Sequence, residues 1–469
     1  MSPRIEHDSL GSMELPEDAW YGIQTARAVQ NFDITGVKIG TFPALVRSLA
    51  LIKKAAAQAN VELGILPAPI GEAIGKACDD LLAGRYHDQF VVDAVQGGAG
   101  TSTNMNANEV IANLALVHLG RARGEYAHCH PNDHVNLSQS TNDVYPTSVR
   151  LALYSKLTDL TSAMAELKGA FEAKQHEFGD VIKLGRTQMQ DAVPMTLGQE
   201  FSTYAVMVGE DVQRIQEARH LLREMNLGAT AIGTGLNSPP GYTDLVRKHL
   251  ERLAGVPLIT AANLIEATQD AGVFVQVSGV LKRTAVKLSK VCNDLRLLSS
   301  GPRAGLHEIT LPAVQPGSSI MPGKVNPVIP EVVNQICFQV IGNDVTVTMA
   351  AEAGQLQLNA FEPIILFGLY RSIDMLARGC RTLTEKCVRG IQANRDVCRM
   401  YVERSIGLVT ALNPVLGYEK SAEVAKEAMR TGKSVGEVAL AKGYLSKAEL
   451  DRLLEPQAML GPVFPALKG

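Results

Sequence analysis

Aromatic residues are scarce in this sequence, and their scarcity limits the folds that it can adopt. Phe, Trp and Tyr make up 5% of the 469 residues, whereas hydrophobic residues as a whole make up 46%. β-Sandwiches and barrels depend on aromatic and β-branched side chains, so a chain this poor in aromatics is better suited to helices. The composition therefore favours a helical globular protein.

An excess of charge of one sign is also missing. Lys and Arg number 45 against 48 Asp and Glu, for a net charge of -3, which provides no strong field for nucleic acid or an acidic membrane. The first residues, MSPRIEHDS, are charged where a signal peptide is apolar, and no apolar run is long enough to cross a bilayer. We expect a cytoplasmic protein with no nucleic-acid partner and no membrane partner.

The cysteines lack any pattern of pairing. They are odd in number, and they show neither CxxC spacing nor an accompanying histidine cluster. This pattern predicts reduced thiols, and no cluster of metal ligands is visible in the sequence. The seven residues are Cys78, Cys129, Cys292, Cys337, Cys380, Cys387 and Cys398.

Two long apolar stripes indicate long amphipathic helices. In each stripe the apolar residues recur every three or four positions, which places them on one face of a helix that packs in a bundle. The stripes are Leu153, Leu157, Leu160, Met164, Leu167 and Phe171, and Phe274, Val277, Leu281, Leu288, Val291, Leu295 and Leu298.

Gly-, Pro- and Asn-rich breaks separate the helical tracts and hold most of the unusual chemistry. They cover residues 96–108, 131–147, 228–241 and 301–327. Residues 421–458 are expected to form short helices. Capping boxes open two of them, one pairing Ser434 with Glu437 and the other Ser446 with Glu449.

The segment GAGTSTNMNANEV, residues 98–110, resembles a helix N-terminus. Asn106 with Glu109 has the spacing of an N-cap, and Thr101 is one of six hydroxyl or amide residues in the segment. Simple capping needs only one or two such residues, so we favour an anion-binding surface at the helix start.

A second segment, SQSTNDVYPT at 138–147, repeats this chemistry. Ser140 and Asp143 have capping-box spacing, with Thr141 and Asn142 between them. Two hydroxyl-rich helix starts suggest a ligand with two carboxylates.

A third segment, GRTQMQDAVPMTLGQE at 185–200, places Thr187 and Gln188 on a predicted turn. Arg186, directly before them, is available for a structural ion pair with an acid. The segment alone indicates no particular activity.

The fourth segment, GSSIMPGKVNPVIPE at 317–331, joins a Gly/Pro-rich loop to Ser318, Ser319, Lys324 and Asn326. It is not a phosphate-binding P-loop, because five residues rather than four separate its glycines and Val325 stands where Ser or Thr is needed. Gly/Pro-rich loops are often mere connections, so the loop by itself leaves a structural role open.

Together these segments resemble the aspartase/fumarase superfamily, whose signature loop GSSxMPxKxNP is matched from Gly317 to Pro327. The resemblance extends from ELPEDAWYGIQTARAVQNF at 14–32 to EAGQLQLNAFEPII at 352–365. It implies an all-α, three-domain fold in which a central bundle of long helices forms the core of a homotetramer, with active sites shared among three subunits.

The implied domains are an N-terminal helical domain at 1–140, a central bundle domain at 141–395 that carries the signature loop, and a small C-terminal helical domain at 396–469.

The resemblance also implies roles for individual residues. Ser318 would be the general base on a loop that closes over the substrate, and Lys324 and Asn326 would hold the substrate α-carboxylate. Thr101, Ser140, Thr141 and Ser319 would bind the β-carboxylate, and Asn142, Thr187 and Gln188 would line the amino-group side.

The implied reaction is the reversible, cofactor-independent elimination of ammonia from L-aspartate to give fumarate through an enediolate. Fumarases of the superfamily usually have GRTHLQD where this chain has GRTQMQD, so Gln188 replaces a titratable histidine. Hydroxide benefits from proton delivery as it leaves, whereas an ammonium group departs as neutral ammonia. Two alternatives stay open, a class II fumarate hydratase and a catalytically inactive scaffold.

One departure from the family pattern lies near the second hydroxyl-rich segment. His134 stands in PNDHVN where relatives commonly have an aspartate, and we expect a surface histidine outside the pocket.

Overall fold

The computed structural model describes residues 4–453, and helices dominate it, which confirms the all-α prediction. The described strands form only two-stranded pairs. Residues 454–469, the end of the predicted C-terminal domain and of its predicted helical stretch 421–458, lie outside the described residues, as do residues 1–3.

The helices range from single turns to 37 residues. In chain order they are α1 (Ile23–Asn31), α2 (Pro43–Glu62), α3 (Ala68–Leu82), α4 (Thr101–His118), α5 (Thr141–Glu177), α6 (Leu197–Leu221), α7 (Tyr242–Ala254), α8 (Leu264–Ala267), α9 (Gly272–Leu298), α10 (Val328–Glu352), α11 (Glu362–Lys386), α12 (Arg395–Arg404), α13 (Val409–Leu416), α14 (Tyr418–Thr431), α15 (Val435–Ala441) and α16 (Lys447–Leu453).

Each described strand pairs with the next strand or the preceding strand in chain order, and among these pairs only β5 with β6 is parallel. They are β1 (Arg4–Asp8), β2 (Gly11–Leu15), β3 (Ile182–Thr187), β4 (Gln190–Thr196), β5 (Glu224–Met225), β6 (Ile259–Thr260), β7 (Ile309–Thr310) and β8 (Gln392–Ala393).

The chain divides into two compact units, and the five longest helices contribute residues to both. Unit 1 contains residues 1–161, 213–285 and 338–376, and unit 2 contains residues 162–212, 286–337 and 377–469. The predicted domain limits after residues 140 and 395 stay predictions.

The two apolar stripes lie where the sequence predicts them. Every residue of the first stripe is buried within α5, and every residue of the second is buried within α9. Within residues 4–453, none of the helices combines the length and the apolar character that a membrane span requires.

Polar contacts join the long helices inside each unit. In unit 1, Asp344 of α10 accepts hydrogen bonds from Ser278 (2.8 Å) and Lys282 (2.6 Å) of α9. In unit 2, the Tyr204 hydroxyl of α6 donates to Asp294 of α9 at 3.2 Å. Helices α6, α9 and α10 therefore contact a neighbouring helix through polar as well as apolar side chains.

Two of the predicted breaks end earlier than expected. Helix α4 begins at Thr101 and α5 at Thr141, so residues 101–108 and 141–147 are helical. The break was predicted because polar residues hide the apolar period of α4. This helix is buried on every face from Thr103 to Leu116, so this part of it has no solvent-exposed side.

The predicted N-cap pair in α4 was wrong in position. Asn106 and Glu109 lie inside the helix, and the Glu109 carboxylate instead accepts hydrogen bonds from the N–H groups of Gly22 (2.8 Å), Gln24 (2.9 Å) and Thr25 (3.1 Å). Glu109 therefore caps the N-terminus of α1, where the helix dipole favours a negative charge. Burial raises the pKa of this carboxyl to about 7, while the donors from α1 oppose the shift.

The C-terminal helices follow the predicted capping boxes. Ser434 and Glu437 form a complete box at α15, and the Ser446 and Glu449 side chains cap α16 in the same reciprocal way. Apolar residues of these helices, including Val424, Val438 and Leu450, share a core with Ile182 and Leu184 of β3.

We predict that Glu109→Gln lowers the free energy of unfolding by about 2–4 kcal/mol, because the new amide turns an N–H toward backbone donors of α1. Denaturant unfolding at pH 8 and fixed protein concentration measures the loss. The matched control is Glu72→Gln on α3, whose carboxylate is 70% exposed and paired with Lys76. It should change stability by less than about 0.5 kcal/mol. Equal effects of the two substitutions would contradict the capping role.

Candidate active site

The first hydroxyl-rich segment forms the first turn of α4. Gly100 precedes the helix with φ +86°, a backbone conformation that residues other than glycine rarely adopt. Thr101 follows it and is exposed. The Thr101 hydroxyl donates to the Gly98 carbonyl at 2.7 Å. Thr101 therefore lies at the positive end of the α4 dipole.

The second hydroxyl-rich segment forms the first turn of α5, and one of the two reciprocal bonds of its predicted capping box is present, from the Ser140 N–H to Asp143. The Ser140 hydroxyl accepts from the Asn142 N–H at 3.2 Å, and the Asp143 carboxylate accepts from the Ser140 N–H at 3.0 Å. Thr141 is the first residue of the helix and is partly exposed.

The structure brings these two first turns into contact. An added Cβ at Gly100 would lie 2.4 Å from the Tyr145 ring, so α5 packs directly on the backbone of the residue before Thr101. One turn further along α4, Asn104 Nδ2 donates to Thr141 Oγ1 at 3.1 Å. Two helix N-termini, each with hydroxyl side chains, thus lie side by side, an arrangement that favours anion binding.

Asp143 does more than the sequence indicated. Besides Ser140, its carboxylate accepts from the N–H groups of Gly228 (3.1 Å) and Thr230 (2.9 Å), and it is fully buried. Burial raises the pKa of Asp143, while the backbone donors and the nearby Lys53 charge oppose the shift. Asp143 therefore joins the start of α5 to the loop at residues 228–231.

Asn142 binds the same loop. Its Nδ2 donates to the Ala231 carbonyl at 2.7 Å, and Asn226 Nδ2 donates to the Asn142 carbonyl at 3.0 Å. The glycine-rich composition marked residues 228–241 as a break but gave no sign of these partners.

In unit 2, Thr187 and Gln188 occupy the tip of the hairpin β3–β4, as the predicted turn requires. Gln188 and Met189 have φ of +54° and +63°, the combination that tight hairpin turns need, and Thr187 and Gln188 are exposed. Below the tip, Arg186 donates to the fully buried Glu308 at 2.6 Å, so the expected ion pair is present. Lys183 lies 3.0 Å from the same carboxylate and also anchors the hairpin.

The signature loop, residues 317–327 of unit 2, is closed at its neck. The Gly317 N–H donates to the Lys324 carbonyl at 2.8 Å, and Asn326 Nδ2 donates to the Gly317 carbonyl at 2.7 Å. An added Cβ at Gly317 would lie 2.4 Å from that Lys324 carbonyl, so a larger residue cannot close the neck in this way.

Inside the loop, the Ser318 hydroxyl oxygen accepts from the N–H groups of Ile320 (3.2 Å) and Met321 (3.0 Å). Two such donors stabilise negative charge on an oxygen. Ser319 and Lys324 are exposed, whereas Asn326 has one side-chain hydrogen committed to the neck.

The predicted residues thus form three groups. Thr101, Ser140, Thr141 and Asn142 gather at the paired helix starts of unit 1, while unit 2 carries Thr187 and Gln188 on its hairpin and Ser318, Ser319, Lys324 and Asn326 on its loop. None of them lines the cavity of about 640 Å³ in unit 2, whose walls include Arg399, Val402 and Leu450.

His134 lies in a single π-helical turn, Pro131–Val135. Its Nδ1 accepts from the His130 N–H at 2.8 Å, and partial burial lowers its pKa. The ring is therefore a local structural acceptor, and its predicted place outside the pocket stays a prediction.

We predict that Asp143→Asn loosens the loop at residues 228–231. The amide loses the charge-assisted bonds and points an N–H at a backbone donor, so amide exchange at Gly228 and Thr230 should accelerate about 10- to 150-fold. Hydrogen exchange with peptide-level mass detection measures this. Asp133→Asn, at a side chain that is 77% exposed, is the matched control and should leave the loop unchanged. Unchanged protection in Asp143→Asn would remove this role from the carboxylate.

Comparison with known proteins agrees over nearly the whole chain. Residues 11–342 match the lyase family, and residues 408–461 match the fumarase C C-terminus family. An aspartate ammonia-lyase from Helicobacter pylori strain 26695 is 60% identical over 98% of each chain. An aspartate ammonia-lyase from Escherichia coli K12 is 56% identical over 99% of this chain and 97% of its own.

Solved structures show the same fold. A fumarate lyase:delta crystallin from Brucella melitensis bound to cobalt has a TM-score of 0.96 at 58% identity, covering 98% of this chain and 100% of that chain. A class II fumarase from Schistosoma mansoni has a TM-score of 0.92 at 38% identity, covering 98% of this chain and 99% of that chain. The chain therefore belongs to the lyase family and to the aspartase/fumarase superfamily, as its signature loop indicates.

Proposed function

We propose that the protein is an aspartate ammonia-lyase that reversibly eliminates ammonia from L-aspartate to give fumarate. The observation that carries this proposal is identity of 56–60% over nearly the whole chain to enzymes of that name. The paired helix starts of unit 1 and the loop of unit 2 support it, because they supply the types of group that the reaction needs.

The demanding step is removal of the Cβ proton, which leaves an enediolate with nearly two negative charges on the former β-carboxylate. In the proposal Ser140, Thr141 and Ser319 donate hydrogen bonds to this group, and Thr101 joins them when its hydroxyl turns from the Gly98 carbonyl to the substrate. The two adjoining N-termini add their dipoles. A preorganised donor of this kind typically contributes about 2.7–4 kcal/mol to transition-state stabilisation.

Ser318 is the proposed base that takes the Cβ proton. A serine hydroxyl is a weak acid, so its alkoxide needs stabilisation, and the N–H groups of Ile320 and Met321 point at this oxygen. Lys324 and Asn326 of the same loop would hold the α-carboxylate. The electron pair then forms the C=C bond as ammonia leaves Cα.

Asn142, Thr187 and Gln188 are proposed to line the amino-group side. A glutamine there cannot deliver a proton as a histidine can, which suits departure of neutral ammonia better than departure of hydroxide. The fold alone does not distinguish elimination of ammonia from elimination of water, since a class II fumarase shares it with a TM-score of 0.92.

We further propose a homotetramer in the cytoplasm, with each active site built from three subunits. The support lies on α10, where Phe338, Val345 and Met349 follow one helical stripe and are 58–66% exposed. Burying each of these side chains would gain about 1.5–3 kcal/mol, so the stripe is suited to a second copy of the chain. Shared sites also explain why the proposed residues line open surfaces within one chain.

We predict that the purified protein raises absorbance near 240 nm with L-aspartate, as fumarate forms, and not with L-malate. Both substrates are compared at equal concentration, enzyme amount and pH. Activity with L-malate alone would identify a fumarate hydratase, and activity with neither would identify an inactive scaffold. Either result would contradict the proposal.

Ser318→Ala is predicted to abolish fumarate formation, with at least about a 10³-fold fall in kcat, because no other group replaces the base. Sedimentation velocity should show the same tetramer as for the unaltered protein. Ser202→Ala on α6 is the matched control, since this hydroxyl only donates to the Gln199 carbonyl. Substantial turnover in Ser318→Ala would assign the base elsewhere.

A further inference from the structure

Lys53 of α2 is a buried lysine that the proposed reaction does not use. Its side chain is 0% exposed, and its Nζ donates to Asn136 Oδ1 and to Gln139 Oε1, both at 2.9 Å. Burial lowers the pKa of Lys53 to about 7, and the Asp143 charge opposes this shift. A buried amine is costly, so its partners are informative about its role.

The lysine determines how its two amide partners are oriented. Nζ donates to both partners, so Asn136 and Gln139 must both turn their oxygens toward it. Asn136 Oδ1 also accepts from Asn104 Nδ2 and Asn108 Nδ2, both at 3.2 Å. Asn136 Nδ2 donates in the opposite direction, to the Gln139 carbonyl at 3.2 Å.

The same direction of donation continues to the helix starts. Asn104 Nδ2, which donates to Asn136, also donates to Thr141 Oγ1 at 3.1 Å. A hydroxyl has a single hydrogen, and because Oγ1 is here an acceptor, that hydrogen is left to donate outward. Thr141 is partly exposed, so an incoming anion can reach it.

We propose that Lys53 is a positioning residue, which orients the chain Asn136–Asn104–Thr141 so that the Thr141 hydroxyl hydrogen faces the substrate β-carboxylate. This inference rests on the proposed function. If Asn136 were reversed, its amide would donate toward Asn104. Asn104 would then turn its oxygen to Thr141, and the hydroxyl would donate to Asn104 instead of to the substrate.

Lys53→Met, Thr141→Val and the double variant test this direction of donation in the full-length protein. Each single substitution should lower kcat/KM for L-aspartate by about 10- to 100-fold, the loss expected for one charge-assisted hydrogen bond. The double variant should be no more than roughly threefold worse than the poorer single variant, because both act on one donor. Thr141→Ser keeps a hydroxyl and should recover most of the activity.

The neighbouring lysine provides the control. Lys54 pairs with Asp79 at 2.6 Å and has no bond to the Asn136 network, so Lys54→Met should stay within roughly twofold of the unaltered protein. Circular dichroism and sedimentation velocity verify that each variant is folded. If Lys53→Met does not fold, Asn104→Ala breaks the same link, and the same loss and non-additivity are expected.

Calorimetric binding of succinate, an unreactive four-carbon dicarboxylate, separates this inference from the proposed reaction. Affinity should fall with Lys53→Met and Thr141→Val in the same non-additive way, even if ammonia elimination is not the reaction. Lys53→Met at wild-type affinity and kcat/KM would overturn the inference while leaving the function intact. Losses that multiply in the double variant would also overturn it, since Lys53 would then act independently of Thr141.

Discussion

The contact between the first turns of α4 and α5 is the constraint on which the rest of unit 1 depends. Each helix N-terminus carries a partial positive charge of about half a unit, so two adjoining N-termini repel each other unless negative charge is close by. Asp143 supplies it from within the first turn of α5, where it also accepts the Ser140 N–H. The partly exposed hydroxyls of Ser140 and Thr141 beside it are proposed to bind a second, incoming anion.

Buried polar groups hold this arrangement in place. Helix α4 is buried on every face, yet it carries Asn104, Asn106, Asn108 and Glu109, and each has a specific partner. Such groups are costly when unpaired and restrict the geometry when paired. Glu109 fixes the start of α1, and the asparagine network joins α2 to the helix starts. The proposed carboxylate site is therefore supported by a second layer of side chains.

Unit 2 carries its proposed site residues on exposed segments that are anchored where they join the fold. The hairpin tip with Thr187 and Gln188 stands above the ion pair of Arg186 and Glu308, and the signature loop is closed by Gly317 and Asn326. Because each segment is anchored where it joins the fold, its exposed tip can reach only a few positions. This restriction suits a proton acceptor that must approach Cβ in one orientation. In the proposal, unit 1 provides most of the donors for the developing charge, whereas unit 2 provides Ser319 and the base Ser318.

Much of the fold could be predicted because periodicity and capping are local. The stripes of α5 and α9, the caps of α5, α15 and α16, and the turn at Gln188 depend on residues a few positions apart. The start of α4 was missed because a helix that is buried on all sides has no solvent-exposed face. Its polar and apolar residues therefore do not recur with the helical period. The roles of Glu109, Asp143 and Lys53 were missed because their partners are 83–87 residues away in sequence.

We propose that the paired helix starts bind a substrate carboxylate, and a crystal structure with bound succinate would show where that carboxylate lies. We predict a succinate carboxylate about 3 Å from the hydroxyls of Thr101, Ser140 and Thr141. Succinate bound elsewhere, with these hydroxyls out of hydrogen-bonding reach in every copy, would contradict it.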